Sequence, residues 1–308
     1  MEQNLSNLIR PMSVVAQEAI NYISGRRDHS ITSLKTRWAK FNKQCMGGIE
    51  PNTVYTIAGI SGSGKSSFAN EISTDIVDLN PGEEIVILIF SLEMVGFRQV
   101  GRTLSSKLRK TTSTLYSSET DLDDDTFRKV ISVSNQLKEY PIWFVDNPTT
   151  PKEAEDIIKY FYNTYIKGTD KHFVIMYDHA LLTKPIGSVI ETMQELERVF
   201  ISAKKYPMTS VLQLAQMNRN IESPERINNP LSHYPIRSDI SSADALFQAS
   251  DYVIVIHRPE ILGIQEYGPS HLPTQNKVYL HILKNRDAGK PCILEFQNDL
   301  AYNNLIES

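Results

Sequence analysis

The sequence GISGSGKSS, at residues 59–67, lies between the apolar run TVYTIA and the helix-like stretch FANEISTDIV. It fits the phosphate-loop pattern G-x-x-x-x-G-K-[S/T], with Gly59, Gly64, Lys65 and Ser66 at the fixed positions. Glycines in such a loop let the backbone N–H groups face a phosphate, and the helix that follows begins with partial positive charge. We therefore predict that this segment joins a buried strand to a helix and binds a nucleotide.

The same pattern predicts individual contacts. Lys65 is expected to contact the β- and γ-phosphates, and the Ser66 hydroxyl is expected to bind Mg²⁺. The predicted nucleotide-binding residues are Gly59, Ser61, Gly62, Ser63, Gly64, Lys65, Ser66 and Ser67.

Composition excludes several other classes of protein. The 308 residues carry a formal net charge of −4, so nucleic-acid contacts would have to come from a local patch or an assembled channel. Two cysteines form no disulfide framework, the seven histidines lack metal-site spacing, and no G-x-S-x-G elbow is present. The start of the chain has no leader pattern, and its longest apolar run, IVILIF, is far shorter than the ~20 residues of a membrane span. We expect a soluble cytoplasmic protein without membrane contact.

Short apolar runs alternate with longer helical patterns from about residue 53. This alternation predicts a doubly wound α/β fold, with a mostly parallel sheet covered by helices on both faces and antiparallel strands at the end of the chain. Irregular structure is predicted for residues 120–126, 222–239 and 258–276. The predicted strands are TVYTIA, IVILIFS, IWFVD, FVIMYD, SVLQLAQ, YVIVIH, VYLHILK and CILEF.

The first 29 residues form a predicted extension that precedes the main domain of residues 30–308. Val14, Ile20 and Ile23 have helical spacing, which predicts a short amphipathic helix over residues 11–27. Because an isolated helix of this length is marginal in water, its apolar face needs a partner, either its own domain or a neighbouring subunit.

Three polar residues stand where predicted strands end. Glu93 follows IVILIFS and is either the carboxylate that polarises an attacking water or a helix-capping acid. Asp178 ends FVIMYD and is a candidate Mg²⁺ ligand. Gln216 ends SVLQLAQ and is either a sensor of the γ-phosphate or a polar strand cap.

Two cations share one side of a late strand. In YLHILKNRDAG, Lys284 and Arg286 are two residues apart, and alternate residues of a strand share a face. They are either a solvated edge or a pair that reaches a neighbour's nucleotide, where an arginine finger accelerates phosphoryl transfer by ~10³ to 10⁵.

Taken in order, these segments resemble the RecA-like motor domain of DnaB-type replicative helicases, a superfamily 4 phosphate-loop NTPase fold, over roughly residues 30–300. About 50 residues precede the phosphate-loop strand, so the family's N-terminal helical domain is expected to be absent and only a linker helix present. The matching segments are GISGSGKS, FSLEM, FVIMYD, LQLAQMNR, SDISSADALFQASDYVIVIHR and ILKNRDAGK.

The resemblance implies a ring-shaped homohexamer that hydrolyses ATP with Mg²⁺ at subunit interfaces and translocates on single-stranded DNA. It implies Lys65 and Ser66 as phosphate and Mg²⁺ contacts, Glu93 as the catalytic carboxylate, Asp178 as a Mg²⁺ ligand and Gln216 as the γ-phosphate sensor. Lys284 and Arg286 would be the catalytic cations of the interface. A helicase loader or other replisome proteins are further expected partners, and a phage or mobile element would suit so short a helicase, which would then act in the host cytoplasm.

The DNA-facing loop of that family usually has the sequence Asp-Leu-Arg-Glu-Ser-Gly. The corresponding residues 239–244 are DISSAD, with Ser241 in place of the arginine and Asp244 in place of the glycine. The candidate DNA contacts, each with ordinary surface charge as the alternative, are Lys184, Arg219, Arg226 and Arg237.

Two other functions remain open from the sequence. The first is an ATP-regulated DNA assembly or loading factor that does not unwind DNA, which the altered residues 239–244 favour. The second is a metabolic phosphoryl-transfer kinase that uses the same phosphate loop within one chain.

Overall fold

The structure is a computed structural model that describes residues 9–119, 121–287 and 289–308. Its centre is a nine-stranded sheet, accompanied by a separate two-stranded hairpin. The sheet strands are β1 (Val54–Gly59), β2 (Ile85–Ser91), β3 (Ile142–Val145), β4 (His172–Asp178), β5 (Thr209–Gln216), β6 (Tyr252–His257), β9 (Lys277–Asn285), β10 (Cys292–Asp299) and β11 (Asn304–Glu307), and the hairpin strands are β7 (Glu266–Tyr267) and β8 (Leu272–Pro273).

The spatial order of the sheet is β11-β10-β9-β6-β1-β5-β4-β2-β3. The six strands from β6 to β3 pair in parallel, and β9, β10 and β11 extend the sheet in antiparallel fashion. Because β1, β2, β4, β5 and β6 run the same way, their carboxyl ends lie at one edge of the sheet, where doubly wound proteins bind ligands.

Ten α-helices lie within the described residues. They are α1 (Met12–Asp28), α2 (Ala39–Gln44), α3 (Lys65–Asp78), α4 (Gly96–Leu108), α5 (Thr112–Tyr116), α6 (Asp124–Leu137), α7 (Pro151–Tyr165), α8 (Val189–Ala203), α9 (Pro224–Ile227) and α10 (Ala243–Ala249).

The sheet buries an apolar layer on each face, which explains why its parallel strands have continuous apolar sequences. In β1, Tyr55 and Ile57 join the layer that contains Phe68 of α3. Val54 and Ala58 point to the opposite layer, which contains residues of α7 and α8. The predicted mostly parallel sheet with helices on both faces is confirmed.

The helix that follows the phosphate loop is anchored from both ends of the chain. Trp38 is 1% exposed and stacks on Phe68 with ring centroids 4.4 Å apart. Its indole Nε1 also donates to the Leu305 carbonyl at 2.9 Å. Aromatic pairs of this kind contribute ~0.5–1.5 kcal/mol beyond the area they bury. Trp38, in the segment before β1, therefore links α3 to the last strand, β11.

The short helix predicted for residues 11–27 is present as α1, Met12–Asp28, but it lacks the pronounced apolar face that the spacing predicted. Only its last turns contact the domain closely: the Arg26 guanidinium donates to the Met46 carbonyl at 2.8 Å, and Gly25 is buried beside Ile31. Residues 1–8 of the predicted extension lie outside the described residues. The boundary at residues 29 and 30 stays a prediction.

All eight predicted strands are present, and the predicted antiparallel pairing at the end of the chain is confirmed. The hairpin β7–β8, inside the stretch expected to be irregular, and β11 are additional strands. They are too short, at two and four residues, to show a periodic pattern in sequence.

Among the described residues, no helix combines the length and apolar character needed to cross a membrane.

Candidate nucleotide-binding site

The predicted site residues meet at the carboxyl edge of the parallel strands. Gly59 at the end of β1 pairs in register with Gln216 at the end of β5. Ser91 at the end of β2 pairs with Asp178 at the end of β4. The ends of β1, β2, β4 and β5 therefore place the phosphate loop, the predicted sensor and the two predicted carboxylates at the same edge of the sheet.

The phosphate loop has the backbone that its glycines predict. Gly62 and Gly64 have φ angles of 75° and 102°, in the left-handed region that other residues rarely adopt. A Cβ on Gly59 would lie 2.5 Å from Ser63 Oγ and 2.7 Å from the Ile256 carbonyl oxygen. Helix α3 starts directly after the loop at Lys65, so its free N–H groups and positive dipole end face the loop.

The Lys65 side chain folds back onto the phosphate loop. Its Nζ donates to the carbonyls of Gly59 at 2.8 Å and Ile60 at 3.0 Å. Burial lowers the pKa of Lys65, and the nearby carboxylates of Glu93 and Asp178 oppose that shift. A cation that is poorly solvated in this way gains strongly from an approaching phosphate.

The loop opens onto a cavity of about 250 Å³. Ser61, Gly62, Gly64 and Ser66 form its loop side, and Lys65 and Glu93 also line it. The cavity is therefore bounded by the phosphate loop on one side and by the predicted catalytic carboxylate on another.

Arg102 of α4 and Arg258, directly after β6, also line this cavity. Arg258 Nε is buried and has no hydrogen-bond partner within the part of the chain that the structure describes. The Arg258 guanidinium pairs with Glu260 at 3.5 Å through Nη2, so within the described residues only its buried Nε lacks a partner. Buried donors are nearly always paired in proteins, and this Nε at the cavity wall suits an anionic ligand. Sequence analysis missed both arginines. The position of Arg258 at a strand end was a usable signal, whereas Arg102 lies mid-helix without one.

Asp178 lies in a narrow cleft of about 20 Å³ that Ser66 and Arg102 also line. Burial raises the pKa of Asp178 to about 6, and Glu93 adds to the increase while Arg102 and Lys65 oppose it. Gln99 Nε2 donates to the carboxylate at 3.3 Å. A desolvated carboxylate beside a serine hydroxyl suits Mg²⁺, which typically takes one or two carboxylates and completes its shell with waters and substrate phosphates.

Among the described residues, no group of three His, Cys, Asp or Glu side chains is placed to hold a metal ion by itself. With the predicted contacts Ser66 and Asp178, waters and nucleotide phosphates would complete the Mg²⁺ shell. Asp123 in the acidic stretch before α6 caps that helix by accepting from the Thr126 amide at 2.8 Å.

Glu93 is exposed in the turn between β2 and α4, at the wall of the phosphate cavity. Gln216 is partly buried, and its carbonyl accepts a hydrogen bond of 3.0 Å from the Ser241 amide. The predicted sensor is thereby joined through its backbone to residues 239–244, the segment that sequence analysis placed beside DNA.

The remaining loop serines have different environments. Ser61 is exposed and lines the cavity. Ser63 is fully buried beneath the loop. Ser67 is buried as well, and its hydroxyl donates to Asn303 Oδ1 at 3.4 Å. Ser67 nevertheless lines the cavity, so side-chain contact with a nucleotide suits Ser61 and Ser67 better than Ser63.

Lys284 and Arg286 lie at the other end of the sheet. Lys284 pairs in register with Val253, near the amino end of β6, whereas the phosphate loop follows the carboxyl end of the adjacent β1. Lys284 Nζ donates to the Ser250 carbonyl at 2.7 Å, and Arg286 forms an ion pair of 2.9 Å with Asp251. Within one protomer, these cations and the phosphate loop do not share a site.

The four candidate DNA contacts divide into two groups. Lys184, Arg219 and Arg237 are exposed in the loops that follow β4 and β5. Arg226 instead forms an ion pair of 2.5 Å with Asp239, a residue that is 1% exposed. This ion pair leaves the Arg226 guanidinium less free to meet a phosphate than the three exposed cations are. The predicted DNA contact of Arg226 stays a prediction.

Comparison with known families matches the model for the DnaB-like helicase C terminal domain to residues 33–302. The chain belongs to this family. Comparison with curated protein sequences found no match. The predicted resemblance to the DnaB-type motor domain is confirmed.

Solved structures share the fold. A structure described as an ATPase domain superposes with a TM-score of 0.76 at 17% sequence identity, covering 95% of this chain and 98% of that one. A structure of a DnaB-like replicative helicase and its interactions with primase gives a TM-score of 0.76 at 16% identity, covering 94% of this chain but 66% of that one. The predicted RecA-like α/β architecture with a short preceding helix is confirmed.

Proposed function

We propose that this DnaB-like protein is an ATP-dependent replicative DNA helicase that assembles as a ring hexamer and hydrolyses ATP between subunits. One observation carries the proposal: the phosphate loop and the pair Lys284 and Arg286 occupy opposite ends of the same sheet. Subunits arranged head to tail would bring the cations of one protomer to the phosphates bound by the next. Arg286, with 46% of its side chain exposed, is available for such a contact.

Each residue of the site has a distinct part in the proposed hydrolysis. The loop amides and Lys65 bind the phosphates, and Glu93 orients and polarises the attacking water. Ser66 and Asp178 would hold Mg²⁺, which would supply positive charge to phosphoryl transfer. Arg286 of a neighbouring subunit stabilises the charge that develops on the transferred phosphoryl group, and Gln216 conveys the state of the γ-phosphate to residues 239–244.

The exposed surface of α1 supports assembly into an oligomer. Met12, Ile20 and Ile23 are 80%, 60% and 66% exposed, although large apolar side chains usually gain from burial. A second copy of the chain is the partner that the proposed ring supplies. The proposed location is the cytoplasm, where a loader or other replisome proteins would meet the ring.

The proposed DNA contacts are Lys184, Arg219 and Arg237, in the loops at the nucleotide-binding edge. Arg237 pairs with Asp244, the acidic residue in the altered segment, at 2.6 Å. Both side chains are exposed, at 53% and 87%, so this pair is weak enough for a DNA phosphate to replace Asp244 as the partner of Arg237. Such sequence-independent contacts predict binding that weakens as salt concentration rises.

Subunit mixing tests the proposal directly. We expect Lys65→Ala protein and Arg286→Ala protein each to lose ATPase activity, and an equimolar mixture to regain part of it at sites formed by one intact half from each variant. Single-stranded DNA should stimulate wild-type turnover in a hexamer-sized species, and a forked substrate should be unwound. No recovery in the mixture, together with a DNA-independent monomer, would instead identify a single-chain phosphoryl-transfer enzyme.

The second candidate is an ATP-regulated DNA assembly or loading factor. It is favoured by the commitment of Arg226 to Asp239, which leaves fewer free cations near residues 239–244. ATP turnover with recovery in the mixture, but without strand separation or movement on DNA, would select this function over the helicase.

A further inference from the structure

Asp251 is a buried carboxylate at the end of the sheet that carries Arg286. Its side chain is 7% exposed. One oxygen, Oδ2, accepts hydrogen bonds from the Val54 amide at 2.9 Å and from Lys204 Nζ at 2.6 Å. The other oxygen, Oδ1, pairs with Arg286 Nη1 at 2.9 Å. Asp251 therefore holds two cations at once.

The two cations are not equivalent. Lys204 has 17% of its side chain exposed, and Arg286 has 46%. The remaining contacts of the Arg286 guanidinium are long, at 3.4 Å to the Gln248 carbonyl and 3.5 Å to the Ser250 carbonyl. Arg286 can thus leave Asp251 at small cost, because the carboxylate keeps both Lys204 and a backbone amide as partners.

The neighbouring Lys284 is fixed more firmly. Its ammonium donates to the carbonyls of Phe247 and Ser250, which end helix α10. Cations in this position satisfy the last carbonyls and the negative dipole end of a helix. Arg286 is consequently the mobile member of the pair.

We propose that Asp251 is the resting partner of Arg286 and competes with the nucleotide phosphate for it, while Lys204 keeps the carboxylate paired when Arg286 leaves it for the phosphate. Asp251 and Lys204 are positioning residues that act through Arg286. The proposal rests on the shared site described above, and it adds a control on when the interface cation is available. A guanidinium paired with a carboxylate offers less charge to a phosphate, so the Asp251 contact opposes catalytic engagement.

Three variants test this exchange through steady-state ATPase measurements in the assembled protein. Lys204→Met leaves the buried carboxylate dependent on Arg286, so kcat should fall by about tenfold. Asp251→Asn removes the competitor and should lower the KM for ATP without lowering kcat. The double variant should behave like Asp251→Asn, because Lys204 has no function once the carboxylate is gone.

Two controls separate this role from general stability. Lys204→Arg retains a cation and should keep near-wild-type kcat, and Lys205→Met changes the adjacent exposed lysine and should leave kcat and KM unchanged. Thermal melts of all variants identify any that fail to fold, and if Asp251→Asn is among them, the contrast between Lys204→Met and Lys204→Arg still decides. Equal kcat in those two variants, or a double variant as slow as Lys204→Met, would overturn the proposal.

The proposal that two subunits share each nucleotide site can be tested separately from the exchange at Asp251. If Arg286→Ala retains wild-type turnover, then the interface role of Arg286 is wrong, whatever Lys204 does. If Arg286→Ala is inactive and is rescued by mixing, while the Lys204 variants lack the predicted pattern, then only the exchange at Asp251 is wrong.

Discussion

Gly59 and Gln216 are register partners at the ends of β1 and β5, and the Met217 amide donates to the Gly59 carbonyl at 3.3 Å. The start of the phosphate loop is thus fastened to the strand that ends in the predicted γ-phosphate sensor. Since Ser63 and the Ile256 carbonyl close the space above Gly59, this junction has no room for a side chain.

We expect Gly59→Ala to abolish nucleotide binding and to reduce the free energy of unfolding by about 1–3 kcal/mol, because the added methyl group overlaps Ser63 and Ile256. Fluorescent nucleotide titration and chemical unfolding measure the two effects. Gly82→Ala is the matched control, since no atom lies within 4 Å of its Cβ position. Normal nucleotide affinity in Gly59→Ala would contradict the assignment of this loop.

Glu93→Gln should retain ATP binding and lose about 10²- to 10⁴-fold in kcat, the range typical of a missing general base. The control is Glu84→Gln, because Glu84 is exposed at the opposite end of the same strand, β2. Near-normal hydrolysis in Glu93→Gln would mean that another group activates the water.

Asp178→Asn should stabilise the protein while it removes Mg²⁺-dependent ATPase activity. The pKa of Asp178 is raised to about 6, so the folded protein binds more protons than the unfolded chain between pH 3.8 and 6, and stability falls as pH rises through that window. Removing the charge should add about 1–3 kcal/mol at pH 7.5, and the gain should vanish near pH 4. Unfolding at both pH values, without nucleotide, checks the sign; equal destabilisation at both would contradict it.

Acid should destabilise the protein through three buried histidines that pack together, His233, His257 and His281. Burial lowers the pKa of His233, His257 and His281. Their contribution to stability is present above pH 6.5 and is lost as pH falls, because unfolded histidines take up protons that the folded ones exclude. Each contributes up to ~1.4 kcal/mol per pH unit.

His257→Leu should therefore flatten the fall in melting temperature between pH 7 and 5, since leucine does not titrate. His271→Asn provides the control because His271 is 62% exposed and asparagine tolerates its positive φ of 47°. An unchanged slope in His257→Leu would show that acid acts elsewhere.

Replacing Ile20 and Ile23 by glutamate should reduce assembly without unfolding the domain, because both side chains are exposed on α1. Light scattering should show smaller particles, and ATPase activity should fall with the loss of shared sites. The control is Gln17→Glu, on the same helix at a polar exposed position. A double variant that assembles normally would indicate that this surface of α1 is not part of the interface.

Local patterns in the sequence were sufficient to predict the sheet and the phosphate loop. The apolar runs of β1, β2, β4, β5 and β6 are long enough to identify buried strands, and their parallel direction places Glu93, Asp178 and Gln216 beside the loop. The contribution of Arg102 could not be predicted, because it depends on how α4 packs against α3. No local pattern records that packing.

The ion-pair partners of Arg226 and Arg286 could not be predicted from local sequence patterns either. Arg226 has the charge of a DNA contact, yet a carboxylate 13 residues away, Asp239, holds it at 2.5 Å. Arg286 was predicted on the same strand as Lys284, but β9 ends at Asn285 and Arg286 follows it directly. Its buried partner Asp251 directly precedes β6. Ion pairs between distant segments depend on tertiary structure, which explains why composition and spacing did not reveal them.

The position of Lys284 and Arg286 opposite the phosphate loop also gives each protomer a head and a tail. Contacts of this kind are heterologous, so they either close into a ring or continue as an open filament. A closed ring completes one site for every subunit, whereas an open chain always leaves one phosphate loop without cations and one pair of cations without a nucleotide. The ratio of active sites to subunits is therefore a direct measure of closure.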